Sequence, residues 1–199
     1  MTALPEPEWA HLVGQDRLMT VDEYAALGET KSGYTELIEG RIMMSPSPAP
    51  KHNIALGELF IQLRGQVPAH LRVIQDVDVD LELVAADQPG FSRRPDLVVV
   101  ESEAVERVER EGGMLRAAEV VVVIEVVSPG SRRIDYKDKH GEYADAGIPH
   151  YWIVDLDEPA SVVACHLAGV LGYQDAPDVT GVFAVQEPFP VELDLRRLR

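Results

Sequence analysis

Glu125 stands inside an apolar run, Val120–Val127, whose other members are all valine or isoleucine. An ionised carboxylate in such surroundings is costly unless it is paired or binds a metal. Two more polar residues break apolar stretches. Asp96 follows Pro95 at the head of Leu97–Val100, and Lys139 lies in the charged segment before the next apolar run, Tyr151–Val154. If the strands of Asp96 and Glu125 are neighbours, their carboxylates meet at one end of a sheet. Their repulsion is relieved by a hard, oxygen-seeking cation such as Mg2+ or Mn2+. Such an ion lowers the pKa of bound water and stabilises a pentacovalent phosphoryl centre. An ammonium at Lys139 would orient the attacking water or offset negative charge on a phosphate. The chemistry asks for one Asp, one Glu and one Lys to converge.

Each residue also has a structural reading. Asp96 can cap a strand end, Lys139 can lie solvated beside Glu142 or Tyr143 on its helix face, and Glu125 can form a buried pair with Arg132 or Arg133.

The elements that must position these groups follow from pattern. Thr20-Val-Asp-Glu23 is a capping box that starts a short helix running to about Leu27. Tyr34–Ile38 and Arg41–Met44 flank Glu39-Gly40 as a hairpin. Ser45–Pro50 is too rich in proline for helix or central strand. From His52, the residues Leu56, Leu59, Phe60 and Leu63 share one helical face, and that helix ends near Gly65. Val77, Val79, Leu81 and Leu83 alternate with Asp76, Asp78, Asp80 and Glu82, which predicts a half-buried strand with its acidic face in solvent. Asp87–Arg94 is a loop, Leu97–Val100 a strand, and Glu101–Ala118 a helical or irregular excursion. Val120–Val127 is a strand buried on both faces. After a turn at Ser128–Ser131, Asp135–Ala146 is a helix ended by Gly147. Tyr151–Val154 and Ser161–Cys165 are strands, and the tail from Val182 to Leu195 is strand-like but broken by Pro188 and Pro190. The pattern predicts a mixed sheet flanked by a few helices, an α/β domain on the border of α+β over residues 20–199, preceded by a leader over residues 1–19 in which Trp9 is the candidate packed aromatic.

A chain of 199 residues is long enough to bury a core without staples. Its single cysteine, Cys165, forms no intrachain disulfide, and no signal peptide or membrane-length apolar run is visible, so a cytoplasmic location is expected. The balance of 18 basic and 34 acidic residues, a net charge of −16, disfavours strong nonspecific binding to a phosphate backbone. Locally the charge differs: Arg132, Arg133, Lys137 and Lys139, with Arg93 and Arg94, predict a basic rim around the acidic pair.

In order along the chain, TVDEYAAL, YTELIEGRIMMSPSP, His52, RRPDLVVV, VVVIEVVSPGSRRIDYKDK and YADAGIPHYWIVD resemble the Uma-two family of restriction-endonuclease-like proteins, within the PD-(D/E)XK nuclease superfamily. The resemblance spans about Thr20 to Asp155. It implies a sheet core of the restriction-endonuclease type and metal-dependent hydrolysis of phosphodiester bonds in DNA, with Asp96 and Glu125 as ligands to Mg2+ or Mn2+. The lysine that the superfamily carries two residues after its Glu is absent, since Val127 fills that slot, and in the Uma-two pattern a helix lysine, here Lys139, takes its place. Glu36 and His52 also fall on polar positions of the family, with a hairpin-surface carboxylate and a helix-start histidine as their structural readings. A homodimer is plausible by analogy with restriction enzymes. The competing expectation is a silent nuclease-fold scaffold or interaction protein, which the acidic surface favours.

Overall fold

The computed structural model describes residues 17–28, 34–45, 47–128 and 130–199. Most of the expected leader, with Trp9, lies outside the described residues. In chain order the elements are α1 (Val21–Ala25), β1 (Thr35–Ile38), β2 (Arg41–Met44), α2 (Pro50–Arg64), β3 (Leu71–Gln75), β4 (Val79–Asp80), β5 (Ser92–Arg93), β6 (Leu97–Glu101), α3 (Ser102–Glu111), β7 (Leu115–Arg116) and β8 (Val120–Val127). A π-helical segment (Ile134–Lys139) then runs into α4 (His140–Asp145), followed by β9 (His150–Asp155), β10 (Ser161–Leu167), β11 (Tyr173–Asp175), β12 (Val179–Thr180), β13 (Val182–Val185) and β14 (Val191–Asp194).

The main sheet runs β11-β10-β9-β8-β6-β3, with β12 beside β10. Its central pair, β8 and β9, is parallel and the other neighbours are antiparallel. Parallel neighbours need a crossover, and the π segment with α4 supplies it. The mixed sheet with flanking helices is the architecture expected from the sequence. Both faces are covered. Leu56, Leu59 and Leu63 of α2, with Phe183 and Leu193 of the β13–β14 hairpin, pack on Val122, Ile124, Val126 and Trp152. On the opposite face Val123, Tyr151 and Ile153 meet Tyr143 and Ile148. Burial of each such side chain is worth about 1.5–3 kcal/mol in transfer free energy. Strand alternation puts Glu125 on the face of Val123 and Val127, under α4.

A second sheet, β2-β1-β5-β4-β7, carries the first hairpin. Its turn has φ of +50° at Glu39 and +73° at Gly40, as a two-residue turn with the hairpin twist requires. Gly40 is also sterically enforced: a Cβ there would lie 2.7 Å from Pro89 and 2.9 Å from Leu18 and from the Met19 carbonyl. Leu18 and Met19 are thus docked on the hairpin, with Met19 N–H donating to Gly40 O at 2.8 Å. The capping box forms as expected, Glu23 N–H to Thr20 Oγ1 at 3.2 Å and Thr20 N–H to Glu23 Oε2 at 3.1 Å.

Two expectations need correction. Asp76–Leu83 is not a continuous strand: only Val79–Asp80 pairs, because Asp76 (φ +50°) and Glu82 (φ +51°) turn the backbone out of register. The burial alternation survives, with Val79 and Leu81 fully buried, but the ladder does not. The long strand here is β3, which precedes that segment and pairs with β6. The helix expected over 135–146 is π-helical over its first part. Its end is as expected: Gly147 (φ +77°) closes a Schellman turn with Ile148 N–H on Tyr143 O at 3.1 Å and Gly147 N–H on Ala144 O at 3.0 Å. No helix among the described residues is long and apolar enough to cross a membrane.

Candidate active site

Register brings the two carboxylates together. Leu97 pairs with Ile124 across β6 and β8, so Asp96 and Glu125 stand at the next position, where the strands open into a cleft. The cleft, about 450 Å³, is lined by Glu36, His52, Asp96, Glu125, Asp135 and Lys139 among others. All five residues singled out from the sequence therefore face one space.

Lys139 occupies its centre. The π segment aims Asp135 and Lys139 inward, and both are buried. Lys139 Nζ donates to Glu125 Oε1 at 2.7 Å and lies 3.6 Å from Glu36 Oε1 and 3.9 Å from Asp135 Oδ1. Burial opposes its charge, but Glu125, Glu36 and Asp135 outweigh that and hold the ammonium above its usual range. The solvated reading of Lys139 and the arginine pairing of Glu125 are thus replaced by one buried pair. Tyr143 Oη donates to the same Glu125 oxygen at 2.7 Å. Burial pushes Glu125 up from the usual carboxylate range; Lys139 opposes the shift, while Asp96 and Asp135 reinforce it.

Asp96 Oδ2 accepts the Val126 N–H at 2.6 Å and meets His52 Nε2 at 3.2 Å. The bond to Asp96 raises the His52 pKa against the effect of burial. His52 Nδ1 is buried with no partner among the described residues. Ser131 Oγ donates to Asp135 Oδ2 at 2.5 Å, and burial raises Asp135.

Sequence reasoning missed Arg93 as a structural residue. Only 3% exposed, it donates from Nε and Nη2 to both oxygens of Glu142 (2.6 and 2.7 Å) and from Nη1 to Glu36 Oε2 (2.9 Å). Glu36 also accepts the Arg94 N–H at 3.2 Å. Burial would raise Glu36, yet Lys139 and Arg93 together hold it below its usual range. The basic rim is correspondingly thinner than expected. Arg94 is engaged by Asp78 at 2.6 and 2.9 Å, and Arg132 by Asp155 and Asp157. The acidic face of Asp76–Glu82 does not simply point to solvent away from the rim, since Asp78 neutralises Arg94 and Asp76 lines the cleft. Arg133 and Lys137 are exposed and have no ion-pair partner among the described residues.

The profile of a family described as "Putative restriction endonuclease", Uma2, matches residues 21–196. The chain belongs to the Uma2 family. Among solved structures it is similar to a protein from Anabaena variabilis described as a "putative nuclease belonging to DUF820", with 20% identity, a TM-score of 0.66, and coverage of 90% of this chain and 97% of that one. At that identity the likeness shows a shared fold. No curated protein matches the sequence.

The donor set in this Uma2 chain fits a hard divalent cation. Asp96 and Glu125 each spend one oxygen on the protein, Oδ2 and Oε1, and neither Asp96 Oδ1 nor Glu125 Oε2 has a hydrogen-bond partner among the described residues. Both residues line the cleft. Two carboxylate oxygens open to a cleft are the ligand type that Mg2+ and Mn2+ take.

Proposed function

We propose that the chain is a Mg2+- or Mn2+-dependent endonuclease of the PD-(D/E)XK type that hydrolyses phosphodiester bonds in DNA. The observation that carries this reading is the meeting of Asp96, Glu125 and Lys139 on one cleft. Asp96 and Glu125 would hold the ion. When bound, it supplies Lewis-acid polarisation of the phosphate and a more acidic water. The Lys139 ammonium, kept charged by its carboxylate neighbours, orients the attacking water and offsets charge gathering on the phosphate. Tyr143 and Lys139 fix one oxygen of Glu125, His52 and the Val126 N–H fix one of Asp96, and Glu36 steadies Lys139 from the hairpin side.

The test is cleavage of plasmid DNA with Mn2+ by Asp96→Asn and Glu125→Gln, which keep side-chain size. Each is expected to lower the rate by about 10²-fold or more while the far-ultraviolet circular dichroism stays unchanged. Undiminished cleavage by both variants would eliminate the site. A silent scaffold is the second reading, favoured by the net charge of −16 and by the internal pairing of Arg93, Arg94 and Arg132. Calorimetric titration with Mn2+ separates the two, because a scaffold has no binding to lose on Glu125→Gln.

A further inference from the structure

Outside the cleft, three side chains from separate elements converge. His140 opens α4, Cys165 lies on β10, and Asp175 ends β11 directly opposite Cys165. The His140 ring nitrogen, Cys165 Sγ and an Asp175 carboxylate oxygen all lie within 4.8 Å of one another. His140 Nε2 is 2.8 Å from Asp175 Oδ1. The imidazole is held edge-on to Tyr173 and Tyr151, with ring centroids 5.2 and 6.3 Å away. The cluster has a dry and a wet side. Cys165 is 1% exposed, whereas the Asp175 side chain is 53% exposed and that of His140 is 23% exposed.

We propose that His140, Cys165 and Asp175 form a binding site for a borderline-soft divalent cation, Zn2+ above all, that ties the start of α4 to the β10–β11 hairpin. Sulfur, imidazole nitrogen and carboxylate oxygen are the zinc donor types, and three protein ligands with one open position are a common zinc arrangement. Bond lengths of about 2.0–2.3 Å place tetrahedral ligand atoms about 3.3–3.6 Å apart. Closing from within 4.8 Å is a side-chain adjustment, which the exposed Asp175 can make. Water completes the fourth position on the wet side. Binding breaks the Cys165 S–H bond, forms a metal–sulfur bond and releases the proton to solvent. The thiolate selects against Mg2+ and Mn2+, so this site and the cleft sort cations by hardness. The two are mechanically linked, since His140 follows Lys139 in the chain.

The experiment titrates the tag-free full chain with Co2+, a spectroscopic substitute for Zn2+, in excess Mg2+. Cys165 is the sole cysteine, so thiolate-to-cobalt charge-transfer absorption reports on this site alone. The expected result is a band that saturates at a single equivalent, disappears on adding Zn2+ and is missing in Cys165→Ser. His140→Gln and Asp175→Asn should each weaken Co2+ binding by at least the roughly tenfold seen for lesser perturbations of metal sites. Asp175→Asn sits at the surface and keeps the proposal testable even if Cys165→Ser fails to fold. Absence of the thiolate band overturns the proposal. So does a band whose affinity is unchanged in both His140→Gln and Asp175→Asn, which would mean a cysteine binding metal alone.

Discussion

Replacing Arg93 with methionine removes one guanidinium while keeping most of its apolar stem. In the native protein that group bridges Glu142 on α4 and Glu36 on β1 with three hydrogen bonds of 2.6, 2.7 and 2.9 Å. Breaking a buried ion pair from one side costs about 3–5 kcal/mol, because the partner is left charged and dry. Two features pull the expectation to the low end. The Glu142 side chain is 18% exposed and can rehydrate, and Glu36 keeps Lys139 at 3.6 Å and the Arg94 N–H at 3.2 Å. A loss of about 3 kcal/mol is expected, a lowering of Tm by roughly 6–12 °C for a chain of this length. The loss should depend on pH. Glu36 has its carboxyl held below the usual value of 4.5, so its contribution is present above that value and fades as pH falls through the folded-state pKa. Arg93→Met pushes that pKa back up, so the deficit is largest at neutral pH and smaller near about pH 4. Urea unfolding of both proteins at the two pH values, with m-values compared, measures this. A neutral-pH deficit under about 1 kcal/mol, the worth of a surface pair, or one that does not shrink in acid, would refute the assignment of Arg93 as the tie between hairpin and helix.

Tyr143→Phe deletes only the hydroxyl that donates to Glu125, in a side chain with no exposure; burial and the Glu125 charge keep that phenol neutral and hence a donor. The expected cost is about 1.5–3 kcal/mol in urea unfolding, and an unchanged midpoint would show that the bond is not formed in solution. Because burial holds the Glu125 carboxyl above its usual range, protons compete with Mn2+ for it increasingly as pH falls. The Mn2+ affinity should rise by up to about tenfold per pH unit below that pKa, with proton release visible as a dependence of binding heat on the buffer. Affinity that does not fall even as the pH is lowered to the usual carboxylate range would mean that Glu125 is not a ligand.

The central strands and Glu125 were legible because a lone carboxylate in a run of valines has few tolerable explanations. Asp96 became legible only when β6 and β8 proved to be neighbours, a fact of long-range pairing. Lys139 stood out as the ammonium the chemistry asks for, but nothing local separates a buried lysine from a solvated one on a charged helix, and Glu36 and His52 were reached through family resemblance alone. Arg93 looked like part of a basic rim because charge counting is blind to partners: Glu36 and Glu142 lie 57 and 49 residues away in sequence. Asp76–Leu83 misled for a related reason. Alternating burial is a property of side chains, whereas a strand also needs a backbone that stays extended, and two residues with positive φ break it.

The π-helical segment that carries Lys139 gives chain length a meaning of its own. An α-helix advances about 100° per residue. Removing one residue between Gly130 and Lys139 would let the segment relax to ordinary helix, and would swing the ammonium roughly a quarter turn off Glu125 while β8 and β9 stayed paired. Side chains on its outer face, such as Arg133 and Lys137, are exposed and replaceable. The number of residues there is not: on this outer face a substitution is tolerated where a deletion is a switch.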